Sequence, residues 1–419
     1  MCKFYTFKKS LICNMRKLLL ILCMAIVTTL RADDGRKTAP AIPAAEQTAQ
    51  YIGHLQNKKV ALVVNPTSMI GKTHLVDSLL SLGIRVEKIF APEHGFRGLA
   101  DAGEKIENTT DKKTGIPVIS LYGTHKKPGT QDLKDIDLVV FDIQDVGTRF
   151  FTYISTLHYV MEACAEQHIE LVVLDRPNPN GHFVDGPIME KEHQSFVGMH
   201  PIPVVHGMTM AEYALMINGE HWLKDSVQCK LFIVKNKFYN HRKAYVPKVK
   251  PSPNLPSIES IYLYPSTCFF EGTELSVGRG TYFPFCAVGS PVLRGKYPLV
   301  FRPESIQGMS KNPPMLGQDC YGLDLRKVDM QALYESRQIH LGWLLELYKS
   351  YPDKEKFFNS YFEKLSGTNE LRQQIIEGNT EDEIRATWAE GLENFRKTRK
   401  KYLLYKGGRI RIPFTNEQR

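Results

Sequence analysis

"DLVVFDIQDVGTRFFTYISTLHYVMEACAEQHIELVVLD", residues 137–175, contains a strand, a polar turn, a helix and a second strand in one stretch. The runs at 137–142 and 170–175 are short, rich in Val and Leu, and apolar without alternation, as strands buried on both faces are. Between them Ile154, Leu157, Val160, Met161 and Cys164 recur at the period of a helix. Strands joined through a helix are parallel, because a parallel neighbour needs a crossover.

The same alternation extends in both directions. "VALVV" (60–64), "RVEKIF" (85–90) and "PVISL" (117–121) precede the quoted unit, and "IPVV" (202–205) is a weaker sixth run after it. Thr209 and Glu212 have the spacing of a capping box opening the helix "TMAEYALMIN". The expected fold is therefore α/β: a Rossmann-like parallel-sheet domain over 51–245, followed by a smaller C-terminal α/β subdomain over 246–419. Ligands of such sheets bind at the carboxyl ends of the strands. The residues there include Asn65, then Glu93, His94 and Arg97, then Tyr122, Asp142 and Asp145, Asn178, and His206.

One of these loops imitates a nucleotide site. "VVNPTSMIGKTHLVDSLLSLG" (63–83) runs from an apolar strand through Gly71-Lys72-Thr73 into a helical pattern. A phosphate-binding loop of the form GxxxxGK[ST] requires glycine at position 66, where this chain has Pro66. Proline supplies no N–H to a phosphate and fixes φ, so nucleotide binding is not expected.

Beyond about residue 239 the texture changes. Pro247, Pro251, Pro253, Pro256 and Pro265 break any regular helix or central strand and mark the boundary. In "EGTELSVGRGTYFPF" (271–285), Gly272, Gly278 and Gly280 imply tight turns that present Glu271 and Arg279. Near the C-terminus Thr380 and Glu383 suit a second capping box, with Ile384, Trp388, Leu392 and Phe395 as one core-facing stripe.

The first 32 residues have the order of a secretory leader: a basic front, the 13-residue apolar run "LLLILCMAIVTTL" (18–30), and Ala32 before "DDG". The run is short for a bilayer span, which makes a permanent anchor the lesser alternative. The expected location is periplasmic or extracellular, with 33–50 as a linker. The leader holds six of the 54 Lys and Arg residues. The remaining chain is close to balanced, and no basic patch interleaved with aromatics suggests a nucleic-acid partner. Five cysteines lie beyond the leader (Cys164, Cys229, Cys268, Cys286 and Cys320) without a disulfide-scaffold spacing. Neither CxxC nor HExxH occurs, and no metal or other cofactor is expected.

Several loop strings, taken in order, carry a resemblance. "FAPEHGFRG", "TGIPVISLYG", "FDIQDVGTRFFTYISTL", "VVLDRPNPNG", "HGMTMAE", "PSPNLPS", "EGTELSVGRGTYFPF" and "KYLLY" together resemble the exo-β-N-acetylmuramidase family, over roughly residues 51–405. The resemblance implies an active site in the cleft between the two domains. It also implies a hydrolase that removes N-acetylmuramic acid from non-reducing ends of peptidoglycan fragments. The glutamate of the family's PEHG string, Glu93 here, is implied as the catalytic acid.

Glycoside hydrolysis uses a proton donor and usually a second carboxylate. Burial at a strand end would keep Glu93 protonated. Asp142, at the end of its strand and directed toward the crevice, and Asp145 compete for the second role, although Asp145 equally suits a helix N-cap. The substrate's acetamido oxygen is an alternative nucleophile. The lactyl carboxylate of muramic acid calls for a cation in bidentate geometry. Arg149 and Arg279 lead as candidates, with Arg97 and Arg176 behind. His94, His206, Asn65 and Asn178 are candidate partners of sugar hydroxyls, and Tyr122 and Tyr153 of a pyranose face. The expected partners are muropeptides or disaccharides derived from peptidoglycan. Two other readings remain at this point: a non-catalytic periplasmic sugar- or muropeptide-binding protein, and an amidase or deacetylase, which in zinc-dependent form needs clustered metal ligands.

Overall fold

The structure, a computed structural model, describes residues 39–93, 95–97 and 108–405. The leader expected over 1–32 and His94 lie outside these residues. Seven strands form the main sheet: β1 (Lys59–Val64), β2 (Arg85–Ala91), β3 (Thr109–Thr110), β4 (Pro117–Ser120), β5 (Leu138–Asp142), β6 (Glu170–Leu174) and β7 (Leu231–Val234). Their order is β3-β4-β2-β1-β5-β6-β7. Every pairing is parallel except that of the two-residue β3 with β4. The chain builds outward from β1 to β4, then returns and builds the other way from β5. This reversal defines a Rossmann-like doubly wound sheet.

The unbroken apolar runs are explained by what covers each face. Leu62, Val140 and Val172 point to one side, where they pack with Leu79 of α1 (Leu75–Ser81) and with Ala44, Tyr51 and Leu55. Val63, Phe141 and Val173 point to the other, toward α2 (Tyr153–Glu166) and α3 (Met210–Gly219). Both faces are dry, so alternation would have placed polar groups in a core. All five helix positions singled out in α2 are buried, and both capping boxes form.

Two expectations about elements need correcting. Residues 202–205 are not a strand; Val205 makes only single bridges, to Thr148 and Asp185. Pro201 and Pro203 lack the N–H groups that a ladder requires. The sixth parallel strand is instead β7, a half-buried edge strand. The segment 33–50, expected as a linker, is packed in its described part from Ile42. Ile42 pairs with Lys237, Ala44 N–H donates to the Asp175 carbonyl, and Ala44 and Ala45 are buried.

The later part of the chain begins with α4 (Ile258–Thr267), whose Ser257 cap bonds Ser260. It continues into an antiparallel sheet of β8 (Ala287–Ser290), β9 (Leu299–Phe301) and β10 (Cys320–Asp324), with β10 in the middle. Helices follow, among them α5 (Met330–Ser336), α6 (Gly342–Ser350), α7 (Phe362–Ser366), α8 (Glu370–Glu377) and α9 (Glu381–Lys400). Leu263, Phe269, Phe362 and Trp388 share one core with α2 and α3. The five cysteines beyond the leader are all buried and unpaired by disulfides. Among the described residues no helix is long and apolar enough to cross a membrane.

Candidate active site

In a doubly wound sheet the crevice is expected where the strand order reverses, between the carboxyl ends of β1 and β5. Here the chain closes that crevice with its own loops. The Asn65 side-chain oxygen accepts from the Thr67 N–H and hydroxyl, while Thr67 Oγ1 accepts the Gln144 N–H and Ser68 Oγ donates to the Asp142 carbonyl. The stretch resembling a phosphate loop folds as a two-stranded ribbon, Met69–Ile70 against Thr73–His74, turning at Gly71 with φ +59°. Pro43 and Glu46 from the N-terminal segment cover what remains, a void of only about 20 Å³.

The usable cavity lies further along the same edge, over the loops after β2, β4 and β5. It measures about 190 Å³ and is lined by Glu93, Tyr122, residues 150–153, Phe196 and Val197 on one side. Ser252, Asn254, Leu255, Tyr264, Glu271, Arg279, Phe285 and Tyr361 close it on the other. An outer compartment of about 620 Å³ shares Glu93, Glu271, Arg279 and Tyr361 with it. Glu93 therefore stands at the junction of a small inner chamber and a larger, more open one.

Glu93 follows β2 directly, so its position is set by the sheet. Its Oε2 accepts from Thr152 Oγ1 at 3.4 Å. Thr152 occupies the N-cap position of α2 yet makes no side-chain bond to its own helix, which leaves the hydroxyl for Glu93. Tyr122, after β4, hydrogen-bonds the same carboxyl; burial and then the Glu93 charge push its phenol up to about 12. Tyr153 forms part of the floor, buried, with its pKa raised by burial first and the nearby Glu93 next. Arg279 arrives from the other half of the protein. Gly278 and Gly280 flank it at φ +74° and +80°, conformations that other residues rarely adopt. A Cβ on Gly280 would meet Pro313 and the Glu304 carbonyl, so the turn has no room for another residue. The guanidinium lies 5.1 Å from the Phe285 ring centroid, and its Nε donates to Glu271 Oε1. Burial acts to lower the pKa of Arg279, but the Glu271 charge more than offsets this and holds it above its ordinary value.

Of the residues read from the sequence, Glu93, Tyr122, Tyr153 and Arg279 come together in this cavity. The others do not. Asp142 is fully buried and held by Arg176, Nε to Oδ1 at 2.6 Å and Nη2 to Oδ2 at 2.8 Å, so it does not point into the crevice. Asp145 is buried outside the cavity lining, its Oδ2 accepting the Gly147 N–H. It caps no helix, since Thr152 holds that position. Burial pushes its carboxyl up to about 7. Arg149 is fully buried and donates to four backbone carbonyls, those of Pro187, Ile202, Leu365 and Ser366. Arg97 pairs with Asp111 at 2.8 Å and Asp77 at 3.2 Å. Asn65 shapes its own loop. Asn178 binds the Met208 carbonyl and the Asn180 N–H. His206 accepts the Met208 N–H and is buried, which drives its pKa down to about 3. Apart from Arg97, which is exposed, these residues stand at the right edge of the sheet but are turned inward to hold loops.

Glu271, on the same turns as Arg279, lines the cavity too, although its sequence context alone assigns it no role. Asn254, in the string "PSPNLPS", lines the cavity as well, and its amide donates to the Met309 carbonyl. Proline flanking a polar residue in a loop that also fixes its shape was the available signal. Among the described residues, no group of three or more His, Cys, Asp or Glu side chains could hold a metal ion.

The chain is similar to known proteins over most of its length. Residues 60–259 match the family model for the N-terminal domain of exo-β-N-acetylmuramidase NamZ, and 262–405 match that for its C-terminal domain. The two meet at the start of α4, some residues beyond the boundary expected from the proline-rich stretch. The peptidoglycan β-N-acetylmuramidase NamZ of Bacillus subtilis is 39% identical over 377 residues, covering 85% of this chain and 89% of that protein. Two DUF1343 family proteins of Bacteroides fragilis have solved structures similar to this one. One is 44% identical with a TM-score of 0.82, over 88% of this chain and all of that one. The other is 30% identical with a TM-score of 0.71, over 87% and 99%. With residues 60–259 and 262–405 matched by its two domain models, the chain belongs to the exo-β-N-acetylmuramidase NamZ family.

Proposed function

We propose that this protein is an exo-acting glycoside hydrolase that releases N-acetylmuramic acid from the non-reducing ends of peptidoglycan fragments. The observation that carries this reading is the meeting of Glu93 and Arg279 in one small chamber. Glu93 is the general acid: its proton passes to the glycosidic oxygen as the C1–O bond breaks, water adds to C1, and the proton that the water releases restores the Glu93 carboxyl group. The guanidinium edge of Arg279 not engaged by Glu271 faces the lactyl carboxylate, a charge-assisted contact that an N-acetylglucosaminyl unit cannot make. Tyr122 and Tyr153 supply hydroxyl and ring surface to the sugar. Members of this family process an extracytoplasmic polymer, and the basic-then-apolar order of residues 1–32 supports export of this one to the periplasm or beyond.

The test is hydrolysis by the purified chain of a chromogenic β-N-acetylmuramide and of the matching β-N-acetylglucosaminide. Release from the muramide alone is expected. Release from neither, with muramyl sugars still bound, would replace this reading with that of a binding protein.

A further inference from the structure

Glu93 and Glu271 are the two carboxylates lining the inner chamber among the described residues. Asp142 and Asp145, the second carboxylates suggested by the sequence, lie elsewhere. Glu271 therefore needs a role of its own, and its contacts differ from those of Glu93. One oxygen accepts the Arg279 Nε–H, and the other accepts from the Cys268 thiol at 3.6 Å. The turn that carries it, Cys268–Gly272, is tied down by Asn359, whose amide donates to the Glu271 and Thr273 carbonyls. Arg279 stands between two glycines of positive φ on a turn packed against Pro313. Both ends of the Glu271–Arg279 contact are thus fixed by backbone. A guanidinium bound through Nε is oriented in its plane, leaving the Nη1/Nη2 edge as a fork for another carboxylate.

We propose that Glu271 is a positioning residue: it holds the Arg279 fork in the plane that reads the substrate's carboxylate, and so sets the preference for muramyl over glucosaminyl sugars. This rests on the reading of Arg279 given above. What matters is the acceptor's place more than its charge, since the negative charge of Glu271 by itself opposes an incoming anion.

Three substitutions separate these effects. Glu271→Gln keeps an acceptor at the same reach and removes the charge. Glu271→Asp keeps the charge and withdraws the acceptor by one methylene. Glu271→Ala removes both. Calorimetry gives the affinities of each folded variant for N-acetylmuramic acid and for N-acetylglucosamine, and hydrolysis of the chromogenic muramide gives kcat and KM. Losing the alignment of one charge-assisted bond is expected to reduce the muramic acid preference about tenfold in E271D and E271A, with E271Q close to the unsubstituted protein. General loosening of the site would weaken both sugars alike and leave the preference intact, which overturns the proposal. A kcat in E271Q lowered by about 100-fold or more also overturns it, making Glu271 a proton-transfer or attacking group instead. If the unsubstituted protein binds both sugars equally, the Arg279 reading fails and the proposal fails with it. Discrimination that survives in E271D and E271A removes the Glu271 role alone.

Discussion

Arg176 grips Asp142 through two parallel bonds, 2.6 and 2.8 Å long, at the closed switch point of the sheet, and Asp142 has no exposed surface. The pair occupies the place where a ligand of a doubly wound fold is usually found. Its role is to tie the end of β5 to the loop after β6. Removing one partner of a buried pair strands the other's charge, so Asp142→Ala is expected to cost about 3–5 kcal/mol of stability. Urea unfolding measures it. The double variant Asp142→Ala with Arg176→Met should be less destabilised than either single change, because neither charge is left alone.

Arg149 makes a second internal clamp, spanning from the loop after β5 to the carbonyls of Leu365 and Ser366 at the end of α7. Burial lowers its pKa to about 9, yet four carbonyl acceptors surround it. Arg149→Lys cannot reach all four from one ammonium. It should lose about 3 kcal/mol in unfolding experiments, from acceptors left buried without donors. The muramide-to-glucosaminide ratio of the folded variant should be that of the unsubstituted protein, which separates this arginine from Arg279.

Arg149 and Arg279 also mark how far the sequence could be read. Both follow a glycine closely, and on that ground the sequence points both toward the substrate. The sheet, its helices and the edge carrying the site were legible because apolar periodicity is a local property. Whether a loop arginine turns outward or inward depends on which carbonyls another part of the chain brings near, as Leu365 does for Arg149 from 216 residues away. Glu93 was legible only through its string of neighbours. Its environment assembles from separate places in the chain, Tyr122 from the loop after β4 and Thr152 from the start of α2.

Replacing Glu93 by Gln removes the proposed proton and keeps the shape of the side chain. Acid catalysis of this kind is worth about 10²–10⁴ in rate, and kcat on the muramide should fall by that factor. Affinity for N-acetylmuramic acid, measured by calorimetry, should persist. Full activity in E93Q would move the acid to another residue.

Arg279→Met should act on the other term. It keeps much of the apolar stem over Phe285 and removes the charge. Loss of a charged hydrogen-bonding partner corresponds to about a 10–100-fold rise in KM for the muramide. Weak binding of N-acetylglucosamine should change little, because that sugar has no carboxylate to lose its partner. An equal loss for both sugars would mean that Arg279 shapes the chamber without reading the lactyl group.

His182 offers a measurable pH dependence. Its ring stacks on Tyr334 of α5 at 3.7 Å between centroids, and Nε2 lies 3.1 Å from the Tyr334 carbonyl. Burial, with Arg337 adding to it, lowers its pKa to about 4. In the unfolded chain the group titrates near its ordinary value of about 6.5. Between these values the unfolded state binds the proton and the folded state does not, so the contribution to stability is complete above about pH 6.5 and declines as pH falls toward 4. Other buried groups titrate over the same range, and Asp145, with its carboxyl raised to about 7, works in the opposite direction. A difference between two proteins isolates the one histidine. From pH 7 to pH 4.5 the unsubstituted chain should lose about 2 kcal/mol more than His182→Gln, read from urea midpoints at each pH. Parallel pH curves for the two proteins would show that His182 gains or loses its proton equally in both states, and that the stack on Tyr334 does not exclude the charged ring.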